Sequence, residues 1–127
     1  MQRDRLTVVV AALGLGHLGL GLWQALGPGS FFDALGGFGL RNDHYVRDVS
    51  TWYLALGAAL VAAAARPTWR VPVLALAAAQ SALHTINHLL DVGDAEPSWV
   101  GPFDAAALAA ITVVLLLVVA ASRRSVP

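Results

Sequence analysis

Hydrophobic and polar positions along this chain segregate into blocks. They neither alternate nor recur mainly at amphipathic spacing. Four apolar stretches, at about 6–26, 49–65, 71–90 and 103–121, are separated by short polar ones. Each is near the ~20 residues that a helix needs to cross the hydrocarbon core of a bilayer. The pattern predicts an all-α fold, a four-transmembrane-helix up-down bundle, in a single domain. Its helices are expected at about 6–26, 43–65, 71–91 and 102–121, with an outer loop over 27–42. A soluble core is a poor alternative, because four helices apolar all round would lack a polar shell. β-Barrel strands would alternate in hydrophobicity, and these blocks do not. Arg3 and Arg5 give the first block the flank of a signal peptide, but it is long for that role. "GLGLWQALGPG" offers no small-x-small cleavage site, so the block is expected to be retained.

Composition strengthens this picture and removes several function classes. Of 127 residues, 57% are hydrophobic and 13% charged, and mean hydropathy is +0.67. A soluble domain of this length carries far more charge on its surface. There is no cysteine, which excludes thiol redox chemistry, disulfides and thiolate metal sites. Zero net charge without a basic run argues against nucleic acid as a partner. All 8 basic residues are arginine. With the heavy Ala, Leu, Val and Gly usage, this suggests a GC-rich bacterial genome and hence a bacterial inner (plasma) membrane, a statement about codon supply and not about activity.

Arginines in short loops set orientation. Arg3 and Arg5 precede the first span, Arg66 and Arg70 fill the second connection, and Arg123 and Arg124 follow the last span. "LDVGDAEPSWVGPFD", between the third and fourth spans, has no basic residue. Both termini are therefore expected in the cytoplasm, with Arg41 and Arg47 outvoted. Trp23, Trp52, Tyr53 and Trp99 then form an aromatic belt at the outer interface, with Trp69 at the inner one. The outer loop "GPGSFFDALGGFGLRND" has too many glycines for a long helix. It reads as a flap whose Phe31, Phe32, Leu35 and Phe38 rest on the membrane surface.

Polar residues inside the apolar blocks are the informative ones. In "AAAQSALHTINHLLD", Gln80, His84, Asn87, His88 and Asp91 fall along one stripe of the third span. A charge at mid-membrane costs ~2.5–3.5 kcal/mol even on a lenient scale, so the stripe should face other helices or a wet cavity. The second span is expected to start early, with Asn42 or Asp43 as N-cap, which places His44, Asp48 and Thr51 on one face. Arg47 lies about 100° round from Asp48, as an interfacial anchor or a partner of Asp91 or Asp104. His17 sits in the first span with Gly14 and Gly21 on its face, where small residues admit a neighbouring backbone or a flat ligand. Asp104 lies in the first turn of the fourth span, where the helix dipole favours a carboxylate.

All four histidines thus map to the outer half of the bundle. His17, His44, His84 and His88 are candidate metal ligands, since imidazoles at i and i+4 point the same way. His44, Asp48, His88 and Asp91 are candidate catalytic groups, with Arg47, Gln80, Asn87 and Asp104 as further polar members. The cofactor stays open: zinc, iron or copper suit imidazole and carboxylate, and His17 with His84 could hold a haem axially. A metal-free His–Asp pair could instead serve as general acid and base on a lipid-soluble substrate. The alternatives are a ligand-binding or transport protein, as a homo-oligomer or with a membrane-protein partner, and a structural subunit of a membrane assembly. In those, the histidines form an interhelical hydrogen-bond network. A short inner loop, "RPTWR", makes the second and third spans antiparallel neighbours. The pairs His44/Asp48 and His88/Asp91 are therefore expected to share one cavity, with His17 below and Phe31 or Phe32 above.

"NDHYVRDVSTWYLALGAAL" followed by "SALHTINHLLD" resembles uncharacterised small four-helix integral membrane proteins of GC-rich bacteria. Their second helix opens with Asn/Glu-His-x-x-Arg-Asp (here His44 to Asp48, preceded by Asp43 in place of Asn or Glu), and their third carries His-x3-His (His84 and His88). The resemblance covers most of the chain; it implies the architecture and no activity. Small multidrug exporters are similar in size, but they need a glutamate in the first helix, where this chain has His17. Four-helix quinone-linked disulfide enzymes need cysteines.

Overall fold

A computed structural model describes residues 2–124, with side chains from Arg5 onward; Arg3 lies outside these described side chains. The described residues form five helices in the order α1 (Gln2–Leu26), α2 (Pro28–Ala34), α3 (Asp43–Ala65), α4 (Pro67–Leu90) and α5 (Val100–Arg124). All but α2 are long and apolar enough to cross a membrane. Large apolar side chains such as Leu15, Leu83, Leu116 and Leu117 stand on the outside of the bundle, as a lipid-facing surface requires.

Helix starts follow local chemistry. Asn42 caps α3, its side chain accepting a hydrogen bond from the Tyr45 N–H at 3.1 Å. Two starts come earlier than the hydropathy pattern suggests. α4 begins at Pro67, because proline at the first helical position gives up an N–H that would be unpaired anyway. α5 begins at Val100, and Pro102 lies within its first turn for the same reason. The flap is in part helical: Pro28–Ala34 forms one short helix.

α1 packs on α3 and α4 on α5, with the α3–α4 hairpin joining the two pairs. The α1–α3 seam is close because glycines face glycines. A Cβ at Gly57 would lie 2.8 Å from the Leu18 nitrogen and 2.9 Å from the Gly14 carbonyl oxygen. Only bare backbone fits there. The α4–α5 seam is closed by hydroxyls instead. Thr112 Oγ1 donates to Ser81 Oγ at 2.8 Å and lies 3.3 Å from Thr85 Oγ1.

The buried core gathers at the end of the bundle that carries both termini, where Leu6, Val10, Leu60, Leu74, Leu115 and Val118 meet. Arg70 seals that end. Only 4% exposed, it donates from Nη2 to Thr7 Oγ1 (2.7 Å) and the Ala64 carbonyl (2.8 Å), and from Nε to the Ala63 carbonyl (3.3 Å). Those carbonyls end α3, where a cation is favoured by the helix dipole.

At the opposite end the loops interlock. Phe38 and Ala95 form an isolated antiparallel bridge, and the Glu96 N–H donates to the Gly37 carbonyl at 2.8 Å. Gly37 has no room for a side chain against the Glu96 carbonyl.

Candidate functional site

Closed at the end that carries the termini, the bundle opens toward the opposite end. A cavity of about 440 Å³ lies between the pairs, lined on one side by Leu13, Gly16 and His17 of α1. Across from them stand Tyr53 of α3, Gln80 and Ser81 of α4, and Leu108 and Ile111 of α5. Its walls are mostly apolar with a few polar groups, as in small-molecule sites of this size. A Cβ at Gly16 would meet nothing within 4 Å, so the helix wall is lowest there.

From this cavity a line of polar groups runs outward. The Tyr53 hydroxyl lies 3.1 Å from His84 Nδ1. His84 Nε2 lies 3.0 Å from His88 Nε2. His88 Nδ1 faces Asp104 Oδ2 at 3.8 Å, an ion-pair distance rather than a hydrogen bond, and has no hydrogen-bond partner although buried. The i,i+4 spacing of α4 brings the two imidazoles together, and α3 and α5 supply the ends. Phe38 packs its edge against the His88 ring, with centroids 4.8 Å apart. The interlocked outer loops thus put an apolar cover on the chain.

Donor and acceptor chemistry restricts the protons. Two neutral imidazoles sharing an N···N contact must have one donor and one acceptor. With Asp104 ionised, His88 presents Nδ1–H to the carboxylate. Its Nε2 then accepts from His84 Nε2–H, and His84 Nδ1 accepts from the Tyr53 hydroxyl. With Asp104 protonated, every hydrogen bond reverses, and the Tyr53 O–H turns toward the cavity. The second polarity holds one proton more than the first: each link passes a proton toward Asp104, and Tyr53 takes a replacement from the cavity.

His17 stands beside this line, its ring centroid 5.9 Å from that of Tyr53. Its Nδ1 lies 2.8 Å from the Leu13 carbonyl, which can only accept, so Nδ1 carries the proton. In the neutral ring, Nε2 is left as an acceptor.

Of the sequence-predicted residues, His17, Gln80, His84, His88 and Asp104 come together around the cavity and chain. His44 and Asp48 do not join them. Their side chains are 86% and 64% exposed, and they face each other at 3.4 Å on the surface of α3. The expected shared cavity of His44/Asp48 with His88/Asp91 is therefore not formed. The first turns of α3 bury Val46 and Ser50 on one face, and His44 and Asp48 stand on the opposite, exposed face, where they need no internal partner. Asn87 is exposed, and Asp91 is the half-buried C-cap of α4. Arg47 is exposed and makes no ion pair among the described residues. The aromatic above the histidines is Phe38, not Phe31 or Phe32; Phe31 packs against Trp23 instead. Arg41, in the same loop, donates to both oxygens of Asp43 (2.6 and 3.0 Å), and these bonds hold its guanidinium above its ordinary pKa.

Among the described residues, no three His, Asp or Glu side chains are grouped to hold one metal ion. Two groups escaped sequence reasoning. Tyr53 is the hinge between cavity and chain, although its place beside Trp52 makes it look like a belt aromatic. Ser81, Thr85 and Thr112 bind α4 to α5, although single hydroxyls in apolar helices carry little signal. Comparison of the chain with protein-family models, curated proteins and solved structures gave no match.

Proposed function

We propose that this membrane protein takes a lipid-soluble small molecule into the cavity between its helix pairs and exchanges a proton with it through Tyr53. The single observation behind this reading is the continuous polar line from a cavity-lining hydroxyl through His84 and His88 to Asp104. Intramembrane ionisable groups are costly, and proton relays are among the roles that retain them. Tyr53 is the group that meets the occupant. His84 holds the Tyr53 proton or returns it, and His88 with Asp104 sets which of these obtains. The same geometry supports simple binding with reversible protonation as readily as an acid–base reaction such as an isomerisation.

A small apolar photolabel, adamantyl diazirine, tests the cavity. Applied to the protein in nanodiscs, it is expected to mark Leu13, His17 and Leu108 as well as lipid-facing Leu116 and Leu117. Gly16→Leu fills the open wall without displacing backbone, so it should abolish the first set and spare the second. Equal labelling of both sets in this variant would contradict the reading.

The arginine distribution further supports an orientation with both termini cytoplasmic, in a bacterial inner membrane, and a relay that opens outward. Single cysteines at Ser30 and Ser98 should then react with an impermeant thiol reagent in intact cells. One at Ser125, outside the described residues, should not. Labelling of the Ser125 site alone would reverse the orientation.

A further inference from the structure

We infer that the occupant of the cavity is recognised by a hydroxyl group, as in a lipid-soluble alcohol or phenol, which donates its hydrogen to His17 Nε2. This rests on the proposed function, because it concerns the same cavity.

Three observations lead to it. First, the Leu13 carbonyl fixes the His17 tautomer, so its Nε2 is an acceptor with no protein partner among the described residues. Second, Tyr53 and His17 stand side by side at the cavity wall, their ring centroids 5.9 Å apart. Third, Gln80 is the other cavity-lining residue with uncommitted polar atoms, whereas Ser81 Oγ is already engaged by Thr112.

The two polarities of the relay narrow the chemistry. When the chain runs toward an ionised Asp104, the Tyr53 oxygen and His17 Nε2 are both acceptors, and the occupant must donate. When it runs from a protonated Asp104, Tyr53 donates and His17 Nε2 still accepts. A hydroxyl satisfies both cases, since its oxygen accepts from Tyr53 while its hydrogen goes to His17. A ketone, quinone or ether oxygen only accepts. It would leave His17 Nε2 unpaired in either polarity, which disfavours it in an apolar cavity. In the first polarity a proton can also move once the hydroxyl turns its hydrogen from His17 Nε2 to the Tyr53 oxygen: the hydroxyl gives its hydrogen to Tyr53, Tyr53 its own to His84 Nδ1, and His84 its Nε2 proton to His88. His88 then gives Nδ1–H to Asp104, leaving an alkoxide or phenoxide in the cavity and a neutral carboxylic acid at the outer end. Such a step suits a phenol better than an alkanol, because its anion is far more stable.

The test uses a matched pair of probes, 1-naphthol and 1-methoxynaphthalene, with the same ring body but a donor in only one. Each competes with adamantyl diazirine for labelling of Leu13 and Leu108 in nanodiscs. The wild-type protein should favour 1-naphthol about five- to tenfold, the worth of one net hydrogen bond. His17→Phe should erase that preference and still bind both probes, which cancels any difference in their partition into lipid. His17→Gln, whose amide oxygen accepts, should keep part of it. If both probes displace the label equally from wild type, or His17→Phe leaves the preference intact, the hydroxyl inference is overturned and the cavity reading stands. If neither probe displaces the label, the cavity reading falls and takes this inference with it.

Discussion

The two ends of α4 solve the same problem differently. Near its start, Arg70 is almost wholly buried and gives its hydrogen bonds to two backbone carbonyls and a threonine. Near its end, His84 bonds to His88 and to Tyr53 of α3, and His88 faces Asp104 of α5 at ion-pair distance. Carbonyls accept and nothing more, so the Arg70 cluster has one arrangement of protons and acts as a clamp. Imidazoles and hydroxyls both donate and accept, so the histidine cluster has two arrangements. Burying polar groups in a membrane helix therefore does not by itself mark a site. A site needs partners whose protons can move and an end that meets a space.

Breaking the clamp should have the largest effect. Arg70→Ala leaves the Ala63 and Ala64 carbonyls unpaired and is expected to cost about 3 kcal/mol of stability in detergent unfolding. Probe binding should be unchanged in whatever protein remains folded. His84→Ala sharpens the contrast. It should cost only about 1–2 kcal/mol, since Tyr53 can turn to the cavity and His88 toward water. Yet a readout that follows the hydrogen bond, the ¹⁵N resonance of His88 Nε2, should shift, because the nitrogen loses its donor.

Asp104→Asn should be smaller again in stability, within about 0.5 kcal/mol. It removes the anion that favours one polarity, so His84 and His88 should each show both tautomers in ¹⁵N spectra. His44→Ala closes the series as a surface control. His44 and Asp48 have the i,i+4 spacing of the buried pair, but their side chains are exposed, and an exposed pair of this kind contributes little. No resolvable change is expected in unfolding, probe competition or the other histidine spectra.

The same contrast explains what could be read from the sequence. Block hydropathy located the four spans because bilayer thickness imposes a length on each. The stripe on α4 was legible because a helix has a fixed period, and Gln80, His84 and His88 do line its inner face. Asn87 and Asp91 belong to that stripe by angle, but they lie at the C-terminal end of α4, where a side chain can turn to water. His44 and Asp48 misled for a related reason: helical phase gives a direction but not whether another helix stands there. Arg70 read as an orientation signal because its partners are two backbone carbonyls and a single threonine hydroxyl, which leave no pattern in sequence. Tyr53 could have been found from phase alone, since it shares the buried face of α3 with Ser50, Leu56, Gly57 and Leu60.

The central claim is that His84 and His88 are joined by a hydrogen bond within one chain of mobile protons. In protein labelled with ¹⁵N-histidine and held in bicelles, coupling across an N–H···N bond reports that contact directly. The account expects a coupled pair of ring nitrogens assigned to His84 Nε2 and His88 Nε2. Tyr53→Phe should leave the pair coupled but shift the His84 Nδ1 resonance, and His44 should show no coupling in the same spectrum. Uncoupled His84 and His88 nitrogens, exchanging with water as freely as those of His44, would contradict it.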